Sequence, residues 1–137
     1  MRNSLNTEAC LEPSGDAAAI KHCPAFLALS LIANKWSIRI LEELLNAEHY
    51  TLRFNQIQKA LDNITQRELT KQLREFEKSG LLERNVFPVV PLRVEYTLTP
   101  MGCSLWEPVQ KLAEWSAQNA QAILEKRNAF DDKKSGL

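Results

Sequence analysis

The segment ITQRELTKQLREFEKSG, residues 64–80, constrains the fold more than any other part of the chain. Thr65 followed three residues later by Glu68 is a capping-box pattern, which predicts that a helix starts there. Gly80 suits the left-handed residue that ends a helix, and Leu81 and Leu82 beyond it can fold back onto the apolar side. At about 100° per residue, Leu69, Leu73 and Phe76 share one side of this helix. Arg67, Lys71, Arg74 and Lys78 lie within about 60° of one another on the opposite side. A helix of this kind must bury one stripe against a partner and present a basic ridge outward.

Net charge does not account for the ridge, because 17 basic residues balance 17 acidic ones. Local fields rather than totals decide contact with a polyanion, so neutrality neither requires nor excludes nucleic acid. Glu68, Glu75 and Glu77 flank the ridge, and taken alone it reads as an ordinary solvated helix face. The order of the surrounding elements carries more information.

Upstream, Pro24–Ala33 reads as a short apolar helix with Pro24 at the permissive first position. Asn34 suits a break through left-handed backbone. KWSIRILEELLN follows as a second helix, and Trp36, Ile38, Ile40, Leu41, Leu44 and Leu45 give it the broad apolar face of a largely buried element. Tyr50–Arg53 is a candidate strand. FNQIQKAL is a third helix with Phe54, Ile57 and Leu61 inward.

Downstream, VEYTL alternates, with Val94, Tyr96 and Leu98 on one side, and pairs with LLERNV across the loop FPVVP. Thr99 and Pro100 open another helix as cap and first residue, and Pro108 kinks or restarts it. Val109, Leu112, Ser116, Ala120 and Ile123 then stripe a long final helix. Residues 1–19 read as a loose polar arm, 20–127 as one domain and 128–137 as a flexible tail. The expected class is mainly α with a small β-hairpin. Its element order is that of a winged helix-turn-helix, in which the helix before the hairpin enters the DNA major groove.

At 137 residues the chain can bury a single core, and its longest nearly apolar run, PAFLALSLIA, is too short to cross a bilayer. The N-terminal residues have no apolar signal-like core, so a cytoplasmic location is expected. Cys10, Cys23 and Cys103 are too few and too scattered for a disulfide framework. With only His22 and His49 as imidazoles, no metal site and no cofactor are expected. The four glycines form no phosphate loop and no nucleophile–base signature occurs, so the chain does not read as an enzyme.

Several stretches, taken together, resemble the HxlR family, a branch of MarR-like bacterial transcriptional regulators. CPAFLALSLIANKWSIRIL looks like that family's Cys-Pro opening and its Gly-Lys-Trp segment, with Asn34 in place of the usual Gly. RFNQIQKAL, ITQRELTKQLREFEKSGLLER, PLRVEYTLTPMG and Trp115 follow in the family's order, with Leu92 where a second Pro is usual. The resemblance spans about Cys23 to Trp115. It implies double-stranded DNA, a pseudo-palindromic operator, as partner, and a homodimer formed through the first and last helices. A small-molecule effector remains open and unidentified.

On this reading Thr65, Gln66, Arg67 and Thr70 face base edges, and Lys71 and Arg74 face phosphates. Arg53 and Asn55 hold the flanking backbone, and Arg84 and Arg93 lie on the wing. Leu27, Trp106, Leu112, Trp115, Ala120 and Ile123 are the expected dimer contacts. Cys23, next to Pro24 at a helix start where free N–H groups favour thiolate, is a candidate redox or electrophile sensor. Its plain alternative is a small buried hydrophobe. The rival to DNA binding is a winged-helix module that docks another protein without reading DNA.

Overall fold

The computed structural model describes residues 23–136, so the arm expected over residues 1–19 lies outside the described residues. The chain divides into two compact units, the first ending at Cys103 and the second starting at Ser104.

The first unit begins with α1 (Pro24–Ile32), with Cys23 as its N-cap residue and Pro24 in its first turn, followed by α2 (Ser37–Asn46). Between them Asn34 makes the break, though without the left-handed backbone expected of it. Its Oδ1 accepts the Trp36 N–H at 2.8 Å and its carbonyl accepts the Ser37 N–H at 3.2 Å, so the side chain ends one helix and starts the next. The buried arc of α2 runs through Trp36, Ser37, Ile40, Leu41 and Leu44. Ile38, expected within that face, lies beyond its edge and is exposed.

A short 3₁₀ turn (Glu48–Tyr50) leads to β1 (Thr51–Arg53), α3 (Phe54–Leu61) and α4 (Gln66–Lys78). The capping box of α4 forms as the sequence implies. Glu68 N–H donates to Thr65 Oγ1 at 3.0 Å, and Thr65 N–H donates to Glu68 Oε2 at 3.1 Å. At the other end Gly80 takes φ +75°. Gly80 N–H bonds the Glu77 carbonyl at 3.1 Å and Leu81 N–H bonds the Phe76 carbonyl at 2.9 Å, which is the Schellman pattern.

Next come β2 (Leu82–Phe87) and β3 (Arg93–Leu98), and β1 adds to the hairpin to give an antiparallel sheet of order β1-β3-β2. Thr51 pairs with Thr97 and Arg84 with Tyr96, and the Thr51 and Thr97 hydroxyls meet at 2.8 Å. The core brings together Ile40, Leu41 and Leu44 of α2, Ile57 and Leu61 of α3, and Leu69, Leu73 and Phe76 of α4. Tyr96 and Leu98 close it from the sheet. Burying such a side chain contributes about 1.5–3 kcal/mol, so the stripe fixes which face of α4 remains outward.

α5 (Pro100–Ser104) closes the first unit, its last residue being the first of the second. The second is α6 (Trp106–Ser135), a single long helix. Pro108 occupies the third position of α6, where its missing N–H is one of the groups left over in a first turn. Pro108 therefore marks a restart rather than a kink. Residues 128–135, expected as a flexible tail, are helical: no Pro or Gly occurs among them, and Lys133 and Lys134 complement the helix C-terminus. Among the described residues no helix is long and apolar enough to cross a membrane.

Candidate nucleic-acid interface

With its apolar stripe buried, α4 turns Gln66, Arg67, Thr70, Lys71, Arg74 and Lys78 outward, and all are exposed. Together with Glu75 they line one surface concavity of about 660 Å³. Lys78 is partly spoken for, its Nζ lying 3.8 Å from Glu75. Arg67, Lys71 and Arg74 have no ion-pair partner among the described residues, and neither do Arg53 and Arg84. Five unpaired cations on one unit are free to meet an external anion.

Gln66, at the first position of α4, belongs to this concavity and to two others. One is shared with Phe54, Thr70, Arg74, Glu77, Arg84, Val94 and Tyr96, between α4 and the sheet. The other is shared with Arg53, Asn55 and the wing residues Val89–Val94. The structure thus gathers Arg53, Asn55, Gln66, Thr70, Arg74 and Arg84 around a continuous surface. Arg84 lies on the wing strand β2, as expected, and lines the groove between α4 and the sheet, opposite its register partner Tyr96.

Three predicted contacts make interactions inside the protein. Thr65 spends its hydroxyl on the cap of α4, and Thr70 Oγ1 donates to the Gln66 carbonyl at 2.7 Å. Arg93 has its guanidinium 4.3 Å from the Phe87 ring centroid and its Nε 3.5 Å from Glu95 Oε1. Phe87 and Arg93 are the last cross-strand pair before the turn, so this stack braces the outer end of the wing strands.

The angle between α3 and α4 has its own supports. Asp62 and Asn63 take positive φ in the connecting turn, 38° and 66°. Arg39 Nη1 donates to the Leu61 carbonyl at 3.3 Å, closing the open end of α3. The Asp-Asn pair was the available signal for this turn, since both residue types tolerate left-handed backbone.

Residues 31–123 match the HxlR-like helix-turn-helix family. The chain belongs to that family. A transcriptional regulator from Methanothermobacter thermautotrophicus, itself uncharacterized, is 43% identical over 93 residues, 68% of this chain and 69% of that protein. A MarR-family regulator from Enterococcus faecalis V583 is 39% identical, with a TM-score of 0.63 over 84% of this chain and 98% of its own. The redox regulator HypR in its oxidized form is 37% identical, with a TM-score of 0.61 over 71% and 97% of the two chains. This HxlR-like protein is a transcriptional regulator of MarR-like winged-helix architecture, with α3 and α4 as the helix-turn-helix and β2–β3 as the wing.

The remaining predicted residues lie elsewhere in the protein. Cys23, at the start of α1, is buried with 1% of its surface exposed. Leu27 is exposed on α1, an apolar helix of which only Ile32 is buried. On α6, Leu112, Trp115 and Ala120 are exposed, and Trp106 and Ile123 are half-buried. Phe130 extends the same stripe and is also exposed. No sequence signal marks it, because its segment is polar on average.

Proposed function

We propose that this HxlR-like regulator binds operator DNA as a homodimer, inserting α4 into the major groove of each half-site. The observation that carries the reading is the set of unpaired, exposed cations arranged around Gln66. Gln66 pairs with adenine edges and Arg67 with guanine, while Lys71, Arg74, Arg53 and Arg84 hold phosphates. A dimer spans half-sites one helical turn apart, about 34 Å. Exposed Leu27 on α1 and the stripe Leu112, Trp115, Ile123 and Phe130 on α6 support the second copy. The protein acts in the cytoplasm, where its operator is.

Fluorescence anisotropy of the reduced protein on random-sequence duplexes, from about 50 to 200 mM salt, tests this. Affinity falling steeply with salt is the expected result. Absence of binding at the low end returns the fold to the rival reading, a protein-docking winged helix.

Cys23 is the proposed signal input. Two observations favour it: its place at the N-terminus of α1, and the likeness of the chain to a redox regulator. Because the thiol is buried, an oxidant or electrophile reaches it through local opening of α1, and its modification displaces the helix that carries Leu27.

A further inference from the structure

The turn of the wing, residues 88–92, reads PVVPL and holds no charged residue. Val90 is fully exposed, and Val89 and Leu92 are more than half exposed. A wing that grips DNA by charge needs a free cation near its tip. Here the neighbouring Arg93 is already stacked on Phe87 and paired with Glu95. The wing therefore carries an engaged cation where its strands end and an apolar turn beyond it.

The tip has a definite outlook. Val89, Val90 and Leu92 form one wall of a concavity of about 800 Å³ whose other wall is Arg53, Asn55 and Gln66. Gln66 lines this concavity as well, so a duplex that seats its major groove on Gln66 has the tip beside it. The adjacent minor groove, about 6 Å wide, is too narrow for a strand pair but admits single side chains.

We propose that the wing reads the minor groove by apolar contact, with Val89 and Val90 wedged against sugars and base edges at a deformable step. Selection at that position then follows DNA shape and ease of kinking rather than phosphate charge. The inference rests on the DNA-binding reading above. A second copy of the chain fits the tip poorly. Three side chains fall far short of the roughly 800 Å² per partner of a stable interface, and unpaired Arg53 in the same concavity favours a polyanion.

The test uses the full-length protein and duplexes enriched from a random pool by the wild type, labelled at both ends to report affinity and bend. Val89→Ser combined with Val90→Ser is expected to weaken binding roughly tenfold, to reduce the bend, and to leave the salt slope unchanged. Val90→Lys is expected to raise the salt slope by about one unit through a new phosphate contact. If the double variant matches the wild type in affinity and bend while Arg74→Ala binds more weakly, the wing proposal is overturned and the DNA-binding reading stands. If the wild type enriches no duplex, both fall. A lower solution mass for the double variant would assign the tip to a second copy and overturn the proposal. All substituted positions are exposed, so folding is not at stake, and circular dichroism verifies it.

Discussion

Thr99 Oγ1 donates a 2.7 Å hydrogen bond to the Gly80 carbonyl, fastening the end of α4 to the start of α5. The same oxygen accepts Gly102 N–H at 3.1 Å, and Thr99 N–H donates to the Leu81 carbonyl at 3.0 Å. One residue therefore serves two chain ends: it caps α5 and secures the turn that closes the recognition helix. Thr99→Val keeps the shape and removes the hydroxyl, stranding a donor and an acceptor. A loss of about 1–2 kcal/mol is expected in urea denaturation. Unchanged stability would mean that water replaces the hydroxyl without cost.

The two glycines beside Thr99 are required for different reasons, which predicts an order of damage. At Gly102 a Cβ would fall on the Leu81 carbonyl oxygen, a backbone atom with no room to yield. Gly102→Ala is expected to cost about 3 kcal/mol or more. At Gly80 the obstacle is φ +75°, and the nearest atom to a new Cβ is the flexible Met101 Cε at 3.1 Å. Gly80→Ala should cost about 1–2 kcal/mol. Denaturation midpoints for the two variants decide the order, and a larger loss at Gly80 would contradict it.

Much of this architecture was legible because strong local signals agreed with the tertiary packing. Thr65 with Glu68, Gly80, and the Leu69–Leu73–Phe76 stripe each specify α4 from within its own segment, and all three formed. Legibility ended where one residue type has two solutions. Asn34 suits a backbone break by residue type and instead works through its side-chain oxygen. Arg93 looked like a free wing cation, because the sequence cannot show that β-pairing places Phe87 opposite it. Phe54, read as inward, lies half-buried between the two concavities, since the helix start it occupies faces the groove. The helicity of residues 128–135 was hidden by their polarity, which marks a solvated helix as readily as a tail.

That difference between free and engaged cations separates two arginines that look alike in sequence. Arg74→Ala should weaken binding to all duplexes and lower the salt slope by about one unit, as the loss of a phosphate contact requires. Arg93→Gln should leave the slope unchanged and act through the wing, lowering stability by about 0.5–1 kcal/mol as the stack on Phe87 is lost. Anisotropy titrations across salt distinguish them. A slope change at Arg93 equal to that at Arg74 would return Arg93 to the phosphate contacts.

The burial of Cys23 makes its chemistry a question of access. Mild oxidant should change the DNA affinity of the native protein and leave Cys23→Ser unaffected, with modification slower than that of an exposed thiol and hastened by low urea. Half-exposed Cys103 serves as the internal comparison, with Cys103→Ser expected to respond like the native protein. Equal responses of native protein and Cys23→Ser would remove Cys23 from the mechanism.

Phe130 extends the proposed interface well beyond the part of α6 that the sequence marks. Leu112 and Phe130 lie about five turns apart and at nearly the same angle around the helix. Both are exposed in the described chain, and Lys134 Nζ sits 5.4 Å from the Phe130 ring. A charge placed at either position meets solvent in a lone chain but is buried unpaired if a second copy covers the stripe. Leu112→Arg and Phe130→Arg should therefore fold normally by circular dichroism and yet yield monomers at micromolar concentration by light scattering. Their DNA affinity should fall as well, since each copy then holds a single half-site. Loss of the dimer in Leu112→Arg alone would confine the contact to the first half of the helix. A wild-type protein that is itself monomeric at that concentration would remove the stripe from the interface altogether.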